Sequence, residues 1–346
     1  MVSKVLVIGD LHYGAKKNSE KFNQQIDQFI DWCLEVINEQ DIDCVIQEGD
    51  WFDSRNSVNV LTLNYGIRGA MKLSKAVGRD NFYIIQGNHD LFYLDRNDIC
   101  SIRSLEAYAR IVDRVQMIEC GNLNLVMVPW VTSDEQWNEV ISYGKKGRVA
   151  IGHFELDDFD VTGSYKMQHG YDYKHLKKFD YVLSGHYHTR QVKGNVIYTG
   201  TPYPITMNEA NQDHGVYMVD GDDSEVYFQV YEGIKVISIK YEDLESELEK
   251  VDDFDNTTIR VEFPDDVDSE LISETVDMLN EKGFDGVKTK YQPAKVREII
   301  EEAEEFEIER VEDIDQIIIN LLEKEDSSFK FDRTVMRAIY KEAVGK

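Results

Sequence analysis

Gly49-Asp50-Trp51-Phe52-Asp53 begins two residues beyond the apolar stretch Cys44–Ile46, and Gly87-Asn88-His89-Asp90 begins one residue beyond the apolar stretch Phe82–Ile85. Three more clusters of this kind occur: Gly9-Asp10-Leu11-His12, Gly152-His153 and Gly185-His186-Tyr187-His188. Each begins with glycine, which lets the backbone turn sharply as it leaves a strand. The pattern predicts polar side chains on loops at strand ends, where a rigid sheet usually carries a functional site.

The mixture of carboxylates, imidazoles and an amide in these clusters suits two divalent metal ions. Phosphodiester hydrolysis is slow because an anion must be attacked by another electron-rich oxygen, and two ions about 3.5–4 Å apart can hold both oxygens. Oxygen ligands combined with imidazoles favour manganese, iron or zinc. A lone Gly-Asp-x-His is weak evidence, but five clusters in order favour a metal site. His169, His175 and His214 lie outside them and are expected to be surface or structural residues.

In order and content, the clusters resemble the motifs of the calcineurin-like metallophosphoesterase family. The resemblance implies two divalent ions, with manganese the first choice, bridged by Asp50. It places one ion on Asp10, His12, Asp50 and His188, and the other on Asp50, Asn88, His153 and His186. It also implies that His89 is the general acid for the leaving oxygen and that Asp90 orients His89.

Strands joined by helices early in the chain, then a run of closer strands, predict an α/β fold with mixed sheets. The resemblance implies an α-β-β-α sandwich of two mixed sheets, with a small α+β capping domain and a C-terminal helical segment. The expected boundaries are 1–232 for the nuclease domain, 233–293 for the DNA-capping domain and 294–346 for a helical partner-binding segment. Apolar spacing also predicts helices near Leu61–Val77 and Ser101–Ile111.

The motif details differ from those of protein phosphatases of this family, which usually read Gly-Asp-x-Val-Asp-Arg-Gly and Gly-Asn-His-Glu. The chain is instead similar to the SbcD-type nuclease subunits of double-strand-break repair complexes, including the stretch Gly200-Thr201-Pro202 and the small unit after Gly233. In its proportions it is similar to the recombination endonuclease subunits of T-even phages.

This similarity implies a DNA exonuclease on double-stranded ends that also cuts single strands. It implies a coiled-coil ABC-type (SbcC-type) ATPase partner, and a homodimer formed near Leu61–Met71 and Ile99–Ala109. The sequence has no Gly-x4-Gly-Lys-Ser/Thr motif of its own. Two alternatives stay open: a phosphatase or small-molecule phosphodiesterase of the same fold, and a non-catalytic scaffold.

The net charge of −28 predicts weak unaided binding to DNA. Candidate substrate contacts near the motifs are Lys16, Lys17, Asp53, Arg55 and Arg190, although a scattered surface cation is the more ordinary reading for each lysine and arginine. Four cysteines without a CxxC pair predict buried free thiols in a reducing compartment. Because no apolar run approaches the roughly 18 residues of a membrane helix, we expect a cytoplasmic protein, in the host cytoplasm if the source is a phage.

Overall fold

Two six-stranded sheets form the centre of the structure, a computed structural model that describes residues 4–161, 166–221, 225–265 and 267–291. The described strands are β1 (Lys4–Ile8), β2 (Cys44–Gln47), β3 (Phe82–Ile85), β4 (Arg110–Val112), β5 (Gln116–Cys120), β6 (Leu123–Val128), β7 (Arg148–His153), β8 (Tyr181–Gly185), β9 (Gln191–Lys193), β10 (Val196–Tyr198), β11 (Gly215–Asp220), β12 (Val226–Val230), β13 (Lys235–Lys240), β14 (Thr257–Glu262) and β15 (Gly286–Lys290). The described α-helices are α1 (Glu20–Glu39), α2 (Val60–Val77), α3 (Asp134–Tyr143), α4 (Leu244–Leu248) and α5 (Ser269–Glu281).

Both central sheets are mixed. The first has the order β12-β11-β1-β2-β3-β4, in which β1 to β4 are parallel and β11 runs antiparallel to β1. The second has the order β5-β6-β7-β8-β10-β9, with a parallel centre from β6 to β10 and antiparallel edges. The carboxyl ends of several parallel strands therefore lie side by side in each sheet.

Alternating side chains of β1 show the layering. Leu6 and Ile8 pack in a core with the helices α1 and α2, whereas Val5 and Val7 pack in a second core against residues of the other sheet. A third core lies on the outer face of the second sheet and includes Trp137 of α3. Helices, two sheets and a further helix form four layers, so the predicted α-β-β-α sandwich is confirmed.

The helix α1 begins as its sequence predicts. The Ser19 side chain accepts a hydrogen bond from the backbone N–H of Phe22, 3.3 Å away, which satisfies one of the free donors at the helix start. The turn before it is unusual, because Lys16, Lys17 and Asn18 all have left-handed backbone angles, with φ of 54°, 62° and 58°. Non-glycine residues rarely adopt this conformation.

Residues after Gly233 form a separate parallel sheet in the order β13-β14-β15, with α4 and α5 between its strands. Contacts group the chain into two units, Met1–Glu262 with Glu270–Lys290, and Phe263–Ser269 with Tyr291–Lys346. The predicted C-terminal helical segment 294–346 lies outside the described residues. Within the described ranges, no helix is both long enough and apolar enough to cross a membrane.

The helix predicted at Ser101–Ile111 is wrong. Ser101–Leu105 forms a single 3-10 turn, and Arg110–Val112 is the edge strand β4 beside β3. The β-branched Ile111 and Val112 extend the sheet there, because strand pairing outweighs a helical spacing of apolar residues. All four cysteines are free: Cys33 and Cys44 are buried, as predicted, whereas Cys100 and Cys120 are partly exposed.

Candidate metal centre

The five sequence clusters meet at one place because the strands that precede them end there. β1, β2 and β3 are parallel neighbours in the first sheet, and β7 and β8 are parallel neighbours in the second. Asp10, Asp50 and Asn88 follow the first three strands, His153 ends β7, and His186 follows β8. The carboxyl ends of parallel strands are where open α/β sheets usually place their sites.

The glycines of the clusters leave the space that the polar side chains occupy. A Cβ on Gly49 would lie 2.6 Å from Nδ1 of His153, and Gly49 also has a φ of 112° that suits glycine. A Cβ on Gly87 would overlap the carboxylate of Asp50, and one on Gly185 would overlap the carboxylate of Asp10. Larger residues would therefore fill the cradle that holds the ligand groups.

The predicted ligands of one metal lie together. Donor atoms of Asp10, His12 and His188 are within 4.8 Å of one another. The Nε2 atoms of His12 and His188 face each other at 3.1 Å, and Nε2 of His12 is 3.8 Å from Oδ2 of Asp50. Two imidazole nitrogens and carboxylate oxygens thus converge on one point.

The predicted ligands of the second metal lie beside the first group. Oδ1 of Asn88 is 2.9 Å from Nε2 of His153 and 3.0 Å from Nδ1 of His186. Oδ2 of Asp50 is 3.4 Å from Nε2 of His153. The same oxygen of Asp50 therefore neighbours both groups, in the position that a bridging ligand must have.

The donor atoms are better placed to bind metal ions than to form hydrogen bonds with one another. Oδ1 of Asp10 is buried without a hydrogen-bond partner in the described structure, and buried polar atoms usually have partners. Oxygen and imidazole donors in two adjacent sets suit two divalent ions of the manganese, iron or zinc type. The residues present therefore fit a two-metal centre.

The metal-free centre is strongly charged. Burial opposes ionisation of Asp50, but His153 and His12 outweigh it and lower the pKa of Asp50. Burial lowers the pKa of His153, yet Asp50 and Asp10 raise it to about 10. Because metal ligands must be deprotonated, binding of ions at His153 displaces a proton.

Three of the predicted ligand residues have positive φ angles, 49° for His12, 53° for Asp50 and 89° for His186. Such angles are uncommon for residues other than glycine, although aspartate, asparagine and histidine adopt them more often than most. Such strain is concentrated at functional sites, where the surrounding structure compensates for it.

His89 lies at the edge of the first group. Its ring is edge-on to His12 with centroids 5.0 Å apart, and its backbone N–H donates to Oδ1 of Asp50 at 2.8 Å. Nδ1 of His89 is 2.6 Å from the backbone oxygen of Asp53. The Nδ1–H therefore points at a carbonyl, and Nε2 is the ring atom that can act on a substrate.

Asp90, which the resemblance predicts to orient His89, lies among backbone donors. Its carboxylate accepts hydrogen bonds from the backbone N–H groups of Asp50 (2.9 Å), Gly87 (3.0 Å) and Phe52 (3.4 Å). Among the described residues, the oxygen that contacts Nδ1 of the His89 ring belongs to Asp53. Burial, reinforced by the charge of Asp50, raises the pKa of Asp90 to about 8. The Asp90 carboxylate thus ties the loop of Asp50 to the loop of Gly87.

The candidate substrate contacts lie in different surroundings. Lys16 and Lys17 are exposed on the left-handed turn, with Nζ of Lys16 4.3 Å from the Phe22 ring centroid. Arg55 is half-buried. The guanidinium of Arg190 packs over Phe228 at 3.9 Å, on β12 of the first sheet.

Asp53, the remaining candidate substrate contact, faces the histidines of the centre. Its carboxylate Oδ1 is 3.3 Å from Nδ1 of His12. The contact has ion-pair distance, although the His12 nitrogen makes no well-directed hydrogen bond. The structure thus places Asp53 behind a predicted metal ligand.

Three further residues of the centre lack a recognisable motif in the sequence. Glu209 is buried and contacts Nδ1 of His188 at 3.2 Å, and Trp130 lies 5.0 Å from the His186 ring, centroid to centroid. Glu48 is fully buried against the hydroxyl of Thr199, and burial raises the pKa of its carboxyl well above the usual value. The only available signal was that Glu48 adjoins Gly49-Asp50.

Two neighbouring groups of carboxylate, amide and imidazole donors lie at the strand ends of the two sheets. This arrangement is typical of a two-metal hydrolase centre. Comparison with known families agrees: the model of the calcineurin-like phosphoesterases matches residues 3–190. The chain belongs to the calcineurin-like phosphoesterase family and is a metal-dependent hydrolase of phosphate esters.

Two proteins that are similar to this chain in sequence come from viruses. The chain is 29% identical to exonuclease subunit 1 of Enterobacteria phage T4 over 231 residues, which cover 65% of this chain and 67% of that protein. It is 24% identical to the putative phosphoesterase 078R of Invertebrate iridescent virus 3 over 247 residues, 68% of each chain. Among solved structures, a dimetal phosphatase from Danio rerio aligns with a TM-score of 0.42 and 10% identity, over 62% of this chain and 91% of that one.

Proposed function

We propose that this protein is a manganese-dependent DNA nuclease that removes nucleotides from double-stranded ends and cuts single strands. The observation that carries the proposal is its similarity to a phage protein named exonuclease subunit 1, over 65% of this chain. The sequence departures from the protein phosphatase motifs support the same branch of the family.

The roles of the ligand residues follow from the two adjacent sets. Asp10, His12, Asp50 and His188 would hold one ion, and Asp50, Asn88, His153 and His186 the other. When bound, the two ions stabilise charge on the phosphate and activate water for attack. The chain's own contribution is a fixed set of donors, because the strands and the backbone hydrogen bonds of Asp90 hold the ligand loops.

His89 is proposed to protonate the leaving oxygen. The backbone oxygen of Asp53 accepts from Nδ1, and the carboxylate of Asp50 fixes the backbone of His89, so the ring has one defined orientation. A positioned acid of this kind must lie within hydrogen-bond reach of the leaving oxygen in the bound substrate. The location of His89 at the edge of the ligand groups supports that role.

DNA contact is proposed for a cleft that includes the candidate Lys16. A cavity of about 310 Å³ is lined by Lys16, Lys288 and Thr206, and also by Lys21, which is paired with Asp285 at 2.6 Å. Ammonium and hydroxyl groups are ordinary partners of phosphate oxygens. Local charge of this kind can position a nucleic acid on a chain whose net charge is −28.

The phage relative is named as a subunit, which supports a partner for this chain as well. We propose a coiled-coil ABC-type ATPase as that partner, docked on the C-terminal segment 294–346, and a role in DNA repair and recombination in the cytoplasm of the host cell. The residues 233–293 are proposed to cap the DNA. A homodimer is proposed through α2 and the segment around Ile99, where Val60 and Ile99 are 74% and 49% exposed.

The substrate class can be tested with matched esters in manganese. A phosphodiesterase hydrolyses bis-(p-nitrophenyl) phosphate in preference to the monoester, and a nuclease also degrades linear duplex DNA and circular single-stranded DNA. Preference for the monoester, with both DNA substrates intact, would favour a phosphatase. Loss of activity in chelator is expected in either case, since the centre needs its ions.

A further inference from the structure

Glu209 is a buried acid beside the metal centre, with a relative exposure of 2%. Oε1 lies 3.2 Å from Nδ1 of His188 and accepts from the hydroxyl of Thr206 at 2.8 Å. Oε2 accepts from the backbone N–H of Ile205 at 2.6 Å and from the hydroxyl of Thr201 at 3.3 Å. The backbone N–H of Ile205 can only donate and both threonine hydroxyls donate here, so these three contacts make Glu209 an acceptor that can accept from Nδ1 of His188 as well.

The contact with Glu209 determines which nitrogen of His188 faces the metal site. An acceptor at Nδ1 requires a proton on that nitrogen, so a neutral His188 ring has its lone pair on Nε2. Nε2 of His188 is the atom that lies 3.1 Å from Nε2 of His12. The carboxylate therefore holds the ring in the tautomer that can bind a cation.

The chain segment that carries Glu209 is itself fixed. His214 is buried, with Nδ1 2.8 Å from the backbone oxygen of Thr201 and Nε2 3.3 Å from that of Glu209. The ring of His214 thus lies between the backbone oxygens at the two ends of the Thr201–Glu209 segment and can donate to one of them. This gives the stretch after the last histidine motif a structural purpose, which is to hold a carboxylate behind His188.

Two other carboxylates face imidazoles of the centre but are less well placed. Oδ1 of Asp53 is 3.3 Å from His12, and its side chain is 40% exposed. Oε1 of Glu155 is 3.7 Å from His186, and its side chain is 37% exposed. Solvent screens both of these more than Glu209, because charge interactions strengthen where water is excluded.

We propose that Glu209 is a positioning residue that fixes the His188 ring through Nδ1 and so strengthens metal binding at Asp10, His12, Asp50 and His188. The inference rests on the proposed assignment of His188 as a metal ligand. It adds a buried carboxylate, from outside all five motifs, to the structure that supports the centre.

Glu209→Gln is the sharpest variant because it is nearly isosteric and introduces a donor. The backbone N–H of Ile205 requires an acceptor, so the glutamine oxygen faces Ile205 and its amide N–H group faces His188. A donor there favours the other tautomer, which puts the proton on Nε2. Glu232→Gln, which removes one charge from a 74% exposed side chain, is the matched control.

Calorimetric titration of the metal-free full chain with Mn²⁺ measures the effect. We expect wild type and Glu232→Gln to bind two ions alike, and Glu209→Gln to bind one of them roughly 10–100-fold more weakly, the usual effect of losing an outer partner of a ligand. Equal affinities in Glu209→Gln and wild type, with both folded by circular dichroism, would overturn the proposal.

A second measurement determines the tautomer of His188 in the wild-type protein itself. Long-range ¹H–¹⁵N NMR of histidine-labelled wild type, with the His188 signals identified from His188→Asn, reports the tautomer directly. We expect the proton of neutral His188 on Nδ1; a proton on Nε2 in the metal-free protein would contradict the inference.

Asp10→Ala, titrated in the same way, separates this inference from the assignment on which it rests. If Asp10→Ala loses a site while Glu209→Gln binds like wild type, only the role of Glu209 fails. If Asp10→Ala itself binds both ions like wild type, the assignment of the metal centre fails, and the role of Glu209 with it.

Discussion

Single side chains in this centre have separable tasks, and Asp50 shows this most clearly. Its Oδ2 neighbours both ligand groups, at 3.8 Å from His12 and 3.4 Å from His153. Its Oδ1 accepts from the backbone N–H of His89. One carboxylate thus connects the two metal groups and also holds the proposed acid in place.

Asp50→Asn is expected to weaken both metal sites, since the shared oxygen loses its charge. The loss should exceed the roughly 10–100-fold that follows from removing an outer partner, because Asp50 would be a direct ligand of both ions. Mn²⁺ titration of the folded variant measures it. Weakening of one site alone would contradict the bridging role.

His89→Gln is expected to keep both metals bound and to lower kcat by about 10²–10⁴-fold, the range for a lost general acid. Nε2 of His89 is the group removed, whereas the ligand sets remain complete. Parallel measurements of turnover on a phosphodiester and of Mn²⁺ affinity separate the two effects. Unchanged turnover would refute the acid assignment.

At the level of secondary structure, the turns after the strands determine whether the ligands fit. Gly49 follows the end of β2 and Gly147 precedes the start of β7, and their φ angles are 112° and 82°. The free space around the two glycines differs. A Cβ on Gly49 would lie 2.6 Å from Nδ1 of His153, whereas nothing lies within 4 Å of a Cβ on Gly147.

Gly49→Ala and Gly147→Ala therefore form a matched pair. Both carry the cost of a left-handed alanine, about 1–2 kcal/mol, which urea unfolding measures. Only Gly49→Ala displaces His153, so only this variant should also lose Mn²⁺ affinity. If Gly147→Ala loses metal to the same extent, the clash at His153 is not the cause.

Much of the element pattern follows from the sequence. Apolar runs followed within two residues by Gly and a polar residue identified the strands β1 to β3 and the loops that carry Asp10, Asp50 and Asn88. Such runs are bounded by strong local signals, and the motif order then indicated which loops must meet.

Features that depend on the tertiary structure could not be predicted in this way. The apolar spacing at Ser101–Ile111 is helical, yet Arg110–Val112 pairs with β3. The hydrogen-bond partner of the His89 ring is the backbone oxygen of Asp53. Because every residue has a backbone oxygen, the residue types do not predict this contact. Glu209 comes from an ordinary polar loop, and only the fold brings it to His188.

At the scale of the whole molecule, exposed apolar side chains occur near the proposed dimer surface. Val60, Leu94 and Ile99 are 74%, 48% and 49% exposed. Clustered exposed apolar residues often mark protein–protein contacts. Val192, which is 67% exposed on β9 of the second sheet, provides a comparison at a different site.

Light scattering tests the proposed dimer. Wild type and Val192→Asp are expected at twice the chain mass of 40.1 kDa, and Ile99→Asp at 40.1 kDa, because a charge buried without a partner opposes association. A monomeric wild type would contradict the proposed homodimer.

Because the net charge of −28 opposes DNA binding, positively charged groups near the centre must attract the phosphates. DNA cleavage is therefore the most demanding part of the proposed function. The measurement that tests the proposed function most directly is digestion of a linear, end-labelled DNA duplex by the purified protein in manganese, beside Asp10→Ala. We predict shortening of the duplex from its ends that disappears in Asp10→Ala. An intact duplex, under conditions in which the same protein hydrolyses an aryl phosphate ester, would contradict the assignment as a DNA nuclease.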